Sequence, residues 1–324
     1  MHYYQRDLAL IHDRGYGGYA DHCAPGILEL LAPVRDGLVL EVGCGSGALT
    51  RHLLAAGLRV VATDASPDLL ALARDALGAS ADLRQLTLPG DPLPAADAVV
   101  STGHVLSYLP DAAAIEAALA AAADALRPGG VLAVDILDLD YGSIRAGERP
   151  FARVEADWAI ITEFSTPAPD RFVRDATTFV PDGAGAWRRG HERHENVLLD
   201  TSRLPGLLAA HGVRAEVGTA FGTAELPGGL RSVTGRKDLC RTGLCARPGP
   251  GAPPGSDCRA VSGAASSGEG QQPVRGGEFG GGQRAGSGRR VQGKVGAGDD
   301  FRGRRASVGH GSEESGGDVL HAAA

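Results

Sequence analysis

Gly43, Gly45 and Gly47 recur at every second position, with Glu41 two residues ahead of them and Asp64 21 residues after Gly43. Glycine permits a tight turn and lets a ligand approach the backbone closely, and a helix that starts after such a turn favours negative charge at its N-terminus. An acid at the end of the next strand can accept both hydroxyls of a ribose. The pattern asks for a nucleotide-like ligand without fixing which one. Gly43-x-Gly45-x-x-Ala48 with Asp64 also satisfies the dinucleotide fingerprint, so a nicotinamide cofactor and hydride transfer stand open at this point.

Other residue types that could do chemistry lie further along. His104 and Tyr108 follow an apolar run and offer a proton acceptor and a hydroxyl. Asp135 and Asp138 end another apolar run, where open parallel sheets bind ligands. In Arg188-Arg189-Gly190-His191-Glu192-Arg193-His194-Glu195, strand alternation puts His191, Arg193 and Glu195 on one face and Glu192 and His194 on the other. One face should cover a pocket, and the other is then the charged outer face of an edge strand. His191 and Glu195 are only two ligands on one strand, so no metal is expected.

These residues need a frame. Leu38–Val42 is an apolar run entering the glycine turn, a buried parallel strand. A helix with Leu49, Leu53 and Leu54 on one face follows and Gly57 ends it. Strands are expected at 59–64, 82–86, 97–101 and 131–136. Ser66-Pro67-Asp68 opens one helix and Asp111 caps another, whose stripe is Ile115, Leu119, Ala122 and Leu126. Such alternation predicts a Rossmann-like, doubly wound α/β sheet with helices on both faces. After residue 150 the period becomes 2: Trp158, Ile160, Thr162 and Phe164 alternate, as do Val173, Asp175, Thr177 and Phe179. Between turn signals, residues 151–199 read as a three-strand antiparallel insert. A helix near 202–211 and strands at 213–221 and 229–236 complete a seven-stranded sheet within residues 1–238.

Four segments in this order resemble the class I S-adenosylmethionine-dependent methyltransferases of small-molecule type. Glu41-x-Gly43-x-Gly45-x-Gly47 is similar to their first motif, and Thr63-Asp64-Ala65-Ser66 to their acidic ribose position. Asp97-Ala98-Val99-Val100-Ser101 with Gly103-His104-Val105-Leu106-Ser107-Tyr108-Leu109 looks like the segment after their fourth strand, and Arg127-Pro128-Gly129-Gly130-Val131-Leu132 like the junction into the fifth. Ile11 to Tyr19 looks like the leader that folds over the cofactor. The resemblance covers about residues 1–238 and implies an antiparallel last strand.

It also implies roles. Gly43, Gly45 and Gly47 would admit the methionine part of S-adenosylmethionine, with Glu41 shaping that end. Asp64 would take the ribose hydroxyls and Ala65 the adenine edge. Thr87 stands where many members place an acid for the adenine amino group. Ser101 or Gly103 would line the methyl-donor end through carbonyls. His104 and Tyr108 are the catalytic candidates, and Tyr16, Tyr19, Asp135, His191 and His194 the substrate-side ones. The implied reaction is in-line methyl transfer to N, O or C of a small molecule. A cofactor-binding regulatory protein without turnover is the alternative from another class, beside the nicotinamide oxidoreductase.

Composition bounds the partners. The 324 residues are 43% hydrophobic and carry 32 Lys or Arg against 39 Asp or Glu, a net charge of −7. That balance argues against a nucleic-acid surface or anionic lipid as partner. Residues 101–104, Ser-Thr-Gly-His, also lack the Pro-Pro-aromatic segment of a DNA-methylating enzyme. No apolar run is long enough to span a membrane, and five cysteines make no disulfide scaffold. A cytoplasmic monomer or homodimer is expected. The character changes near residue 238: 22 of the 48 glycines lie in 241–324. Residues 239–324 hold 11 Arg or Lys and 8 Asp or Glu, leaving 21 against 31 before them. With few, scattered apolar residues the tail reads as disordered. An Arg-Gly RNA contact at 302–305, metal ligation by Cys240, Cys245 and Cys258, and out-of-frame translation after Lys237 are the three readings of it.

Overall fold

The computed structural model describes residues 3–239. The readings of the tail, its disorder, RNA contact, cysteine ligation and out-of-frame origin, lie outside the described residues. The chain runs α1 (Arg6–Gly15), α2 (Gly18–Leu31), β1 (Leu38–Val42), α3 (Ala48–Ala55), β2 (Arg59–Asp64), α4 (Pro67–Leu77), β3 (Asp82–Gln85), β4 (Ala96–Ser101), α5 (Ala112–Ala125), β5 (Leu126–Leu137) and α6 (Asp140–Ile144). The insert follows as β6 (Phe151–Val154), β7 (Ala159–Ala168), β8 (Arg171–Pro181) and β9 (Trp187–Val197). Then come α7 (Leu204–Ala210), β10 (Val213–Gly218), β11 (Ala220–Phe221), β12 (Ala224–Glu225) and β13 (Leu230–Lys237).

The main sheet has the order β10-β13-β5-β4-β1-β2-β3. The pairs β1/β2, β1/β4, β2/β3 and β4/β5 are parallel, whereas β13 is antiparallel to both β5 and β10. An all-parallel dinucleotide sheet runs 3-2-1-4-5-6. Here an antiparallel strand is driven between the fifth and sixth, which departs from the nicotinamide reading. Both faces of β1 are covered, so its side chains go alternately to two cores. Val39 packs with Tyr19, Ile27, Leu31 and Leu53, and Leu40 with Ile115, Leu119, Leu204 and Leu208. Truncating a fully buried leucine such as Leu119 to alanine would cost about 2–5 kcal/mol.

The sequence cues for helix ends hold locally. Ser66 Oγ accepts from the Leu69 N–H at 3.2 Å and Asp111 Oδ1 from the Ala114 N–H at 2.8 Å. Three boundaries differ. The insert has four strands, order β6-β7-β8-β9, because the four-residue β6 is too short to show a period. Leu126 starts β5 instead of ending the helical stripe. The strand expected at 213–221 stops at Gly218, and a two-residue hairpin, β11 with β12, follows.

The insert's inner face carries the third core, in which Leu8, Ile11 and Tyr16 of the N-terminal segment meet Trp158, Ile160, Ala176 and Val180. In β7 the buried face is the one read from the sequence. In β8 most of the burial is on the opposite one: Phe172, Ala176, Thr178 and Val180 are buried, while of the other set Val173 is buried and Asp175, Thr177 and Phe179 are partly exposed. Both parities of that strand contain apolar residues, so periodicity alone could not choose. Asp7 with Arg188, Arg14 with Asp157, and the Arg153 guanidinium donating to the Gly15 carbonyl at 2.7 Å fasten α1 to the insert.

Candidate active site

The strand order reverses between β1 and β4, and the crevice beyond the carboxyl ends of these strands is where open α/β sheets bind ligands. A cavity of about 630 Å³ lies there. Its wall is made by the glycine turn, the end of β2, the loop after β4 and the N-terminal residues.

The three turn glycines serve different ends. At Gly43 a Cβ would stand 2.4 Å from Val105, and at Gly47 2.6 Å from Leu77, so these two are small because neighbours pack on them. Gly47 is also absent from the cavity wall, which corrects its expected role: it seats α3 on α4. Only Gly45, with φ +56°, has open space where its side chain would be. Glu41 is 2% exposed, accepts a hydrogen bond from Thr50 Oγ1 at 2.7 Å, and lines the cavity. Burial pushes its carboxyl up to about 7, against the lowering effect of that bond. Asp64 accepts from the Gly45 N–H at 2.9 Å and the Ser66 N–H at 2.8 Å, so it braces the turn while lining the cavity. Burial raises it too, opposed by those backbone donors. Ala65 and Thr87 complete this end together with Leu69, Leu86 and Leu88.

Behind the loop after β4 sits Asp135, fully buried and outside the wall. Its carboxylate accepts from the Gly103 N–H at 2.9 Å, the His104 N–H at 2.7 Å and the Tyr19 hydroxyl. It is a positioning residue, and the expectation of a substrate contact is corrected: a carboxylate taking three donors from its own chain faces inward. Burial raises it to about 6, and its three donors lower it. The loop it holds is bent sharply, with φ +85° at Gly103 and +47° at His104. Gly103 lines the cavity, whereas Ser101 is buried beneath it and does not.

At the other end the wall is aromatic. Tyr3, Tyr4, His12, Tyr16, Tyr19 and Tyr108 all contribute. The Tyr4 and Tyr108 hydroxyls are 3.1 Å apart, and Tyr4 also receives Arg174 Nη2 at 3.1 Å. His104 stacks on Tyr108 with ring centroids 5.6 Å apart but is not itself in the wall, which displaces it as the direct proton acceptor. His12, read from the sequence only as part of the leader Ile11 to Tyr19, is in the wall with Nδ1 buried and unpartnered. Burial, with the Arg174 charge second, lowers His12 to about 4 and His104 to about 3, so both are neutral at pH 7.

The insert's two faces now separate. His194 is fully buried and packs edge-on against Tyr4 and Tyr108, so its face turns inward. His191 lies on the outer face, half exposed and 3.5 Å from Asp175, and is corrected from a substrate-side candidate to a surface residue. Sequence reasoning also missed Tyr3, Tyr4 and Arg174. No local signal marks them, since they meet only because α1 folds onto the insert. Among the described residues no three His, Cys, Asp or Glu gather as a metal would require, and no helix is long and apolar enough to cross a membrane.

Residues 40–132, the glycine turn through β5, match a family model described as a methyltransferase domain. This stretch is similar to the class I S-adenosylmethionine-dependent methyltransferases. A ubiquinone biosynthesis O-methyltransferase of Hydrogenovibrio crunogenus is 28% identical over 162 residues, 47% of this chain; the match spans 66% of that relative's length. In fold, the chain is similar to an S-adenosylmethionine-dependent methyltransferase from Clostridium acetobutylicum. That likeness has TM-score 0.59 and 18% identity, and covers 68% of this chain and 92% of that one. The sugar N-methyltransferase KedS8 from Streptoalloteichus sp. is similar with TM-score 0.56 and 23% identity, over 68% and 87% of the two chains. The cavity fits the family's cofactor: it has an open cradle at Gly45 and acids at both Glu41 and Asp64.

Proposed function

We propose that this protein transfers the methyl group of S-adenosylmethionine to a nitrogen, oxygen or carbon of a small-molecule acceptor. The observation that carries the reading is the continuity of one cavity from Glu41, Gly45 and Asp64 to Tyr4, His12 and Tyr108. Glu41 meets the ammonium of the methionine part, Gly45 lets that part pass the backbone, and Asp64 takes the ribose hydroxyls. Ala65, Leu69 and Leu88 flank the adenine. Thr87 is within the same wall for the adenine amino group.

The cofactor supplies a methyl on a positively charged sulfur, a good leaving group. What the chain must add is alignment, which in ideal cases is worth roughly 7–11 kcal/mol. Gly103, fixed by Asp135, and Tyr19 border the donor end. Tyr108 and Tyr4 border the acceptor end, where their hydroxyls can hold the nucleophile. His12, neutral at pH 7, is the group in the wall able to take its proton. A histidine held near 4 is a weak base, so this site suits an acceptor that needs little help in losing a proton. α1, through His12, and the insert, through Arg171, Glu195 and Val197, border the cavity.

The acceptor is small in this reading because α1 and the insert border the pocket, and the enzyme works as a cytoplasmic monomer or homodimer. Incubation with methyl-labelled S-adenosylmethionine and fractionated small metabolites tests it. Label moving into a small molecule, and lost with Asp64→Ala, is the expected result. S-adenosylhomocysteine binding with no label transferred from any fraction would favour a regulatory protein instead.

A further inference from the structure

The acceptor end of the cavity wall holds one unmet donor and one unmet acceptor. Tyr4 Oη and Tyr108 Oη lie 3.1 Å apart, and both residues line the cavity. From outside the wall, Arg174 Nη2 donates to the Tyr4 hydroxyl at 3.1 Å. A guanidinium only donates, so it occupies a lone pair of Tyr4 and takes no proton from it. Two hydroxyls own two protons, and one of these makes the bond between them. The other has no acceptor among the described residues. The pair is therefore a net donor, strengthened by the cation at its back. His12 is the complement. It lines the same cavity, with its ring edge-on to Tyr4 at 4.9 Å between centroids. Being neutral at pH 7, it carries one nitrogen that accepts. The residue is partly exposed while Nδ1 is buried, so Nε2 is the nitrogen a ligand can reach.

A nucleophile between these groups must give a proton to an imidazole and receive one from a tyrosine. It must also keep an electron pair for the methyl group. A hydroxyl oxygen can do all three, having one O–H and two lone pairs. A neutral amine has a single lone pair, which would have to accept and attack at once, and an ammonium has none. Nor does a free carboxylate await a cation here: Glu195, the acid of this end, is half exposed and holds Arg193 at 3.2 Å. The rest of this end is flat or apolar, with Tyr3, Tyr16, Leu109, Pro110 and Val197. Resting on the methyl-transfer reading, we propose that the acceptor is a phenol, its ring among the tyrosines, its oxygen on the free tyrosine O–H and its proton directed to His12 Nε2. An aliphatic alcohol is set aside because a weak base assists only an O–H that is itself acidic. The step balances. One lone pair of the phenol oxygen forms the new O–C bond as the C–S bond of the cofactor breaks, and the electrons of that bond stay on sulfur. The phenol proton goes to His12 and from there to water, and the product is an aryl methyl ether.

The test follows transfer from methyl-labelled S-adenosylmethionine by the full chain to phenol, aniline and cyclohexanol. Label should enter phenol at least about tenfold faster than either of the others. His12→Gln should slow phenol at pH 8 by at least about tenfold. The same variant should leave para-nitrophenol, which ionises at that pH without help, within about threefold of the wild-type rate. Either tyrosine alone keeps one O–H to give, so the double variant Tyr4→Phe, Tyr108→Phe is the one that removes the donor. It should slow both phenols by at least about tenfold, and all variants should bind S-adenosylhomocysteine as the wild type does. Transfer to aniline or cyclohexanol as fast as to phenol would overturn the proposal and leave methyl transfer standing. A para-nitrophenol rate that falls in step with phenol in His12→Gln, unchanged rates in the double variant, or label in none of the three compounds would overturn it too. Should a variant not fold, the phenol-to-aniline comparison in the wild type decides. Failure of S-adenosylhomocysteine itself to bind would strike the methyl-transfer reading, which is a separate outcome.

Discussion

Cofactor binding should be linked to a proton through Glu41. Buried beside Thr50, its carboxyl is held up to about 7 when no cation faces it. A ligand ammonium placed against it favours the charged form and brings it back to its ordinary value of 4.5 or below. The ligand then binds the deprotonated protein better, so affinity must rise with pH through the free-state value. At pH 8 Glu41 is mostly ionised before binding. At pH 6 about ten of every eleven molecules carry the proton and must lose it, which weakens affinity about tenfold, or about 1.4 kcal/mol. The ligand's ammonium stays charged over this range, and Cys44, whose thiol is pushed far up by burial, stays neutral. Calorimetry of S-adenosylhomocysteine at pH 6, 7 and 8, in buffers of different ionisation enthalpy, reads both quantities. About half a proton should be released per ligand at pH 7. Glu41→Gln should flatten the pH dependence and abolish the release. Affinity that is level from pH 6 to 8, or a slope that survives in Glu41→Gln, would refute the placement of the ammonium at Glu41.

If Asp64 holds the ribose as proposed, Asp64→Ala removes two charge-assisted hydrogen bonds and should cost about 3 kcal/mol or more in S-adenosylhomocysteine affinity, about a hundredfold, by the same calorimetry. Retention of affinity within about threefold would mean that Asp64 serves only the turn. Gly45→Ala and Gly47→Ala both place a side chain at positive φ, costing about 1–2 kcal/mol of stability each. They should separate on binding: the first fills the cradle and loses the ligand, while the second clashes with Leu77, melts at lower urea, and binds normally once folded. Asp135→Asn turns an amide towards at least one of three donors and should destabilise the fold by about 1.5–3 kcal/mol in chemical denaturation. An unmoved midpoint would remove Asp135 from the account of the loop.

What the sequence made legible is what short-range physics controls. Apolar runs of strand length, the Ser66 and Asp111 caps and the glycine turn are each decided within a few residues, and strand-helix alternation gives the doubly wound class, whereas the strand order was not read from the sequence. The cofactor end of the cavity inherits this clarity, because Glu41, Gly45 and Asp64 belong to two adjacent strand ends. The acceptor end does not. Tyr4 and Arg174 are 170 residues apart and meet only through the third core, where Trp158 and Val180 hold α1 against the insert. Arg174 was further hidden by parity, since the residues on either side of it, Val173 and Asp175, supported the opposite face as the patterned one. An arginine on the inner face of a strand violates the binary pattern, and such violations concentrate where function requires them.

Asp135 shows why position along a strand does not settle a residue's role. Two acids end the same strand region, and both could have faced the cavity. Asp138 accepts the Thr201 hydroxyl and its N–H, which secures the entry to α7. Asp135, one pleat deeper, finds three donors within reach and is drawn inward by them. Those donors belong to two different elements: Tyr19 to α2, and Gly103 with His104 to the loop after β4. Tyr19 and Gly103 both line the cavity, and the one carboxylate joins their two elements. The left-handed His104, costly for a side-chain-bearing residue, is tolerable because its N–H is bound to that charge. It follows that Tyr19→Phe should loosen α2 while leaving the loop's two backbone bonds to Asp135 in place. Hydrogen exchange would show faster opening near residue 19 with the Gly103 and His104 amides still protected. Loss of protection at all three sites would mean that the Tyr19 hydroxyl, and not the burial of Asp135, sets the carboxylate's orientation.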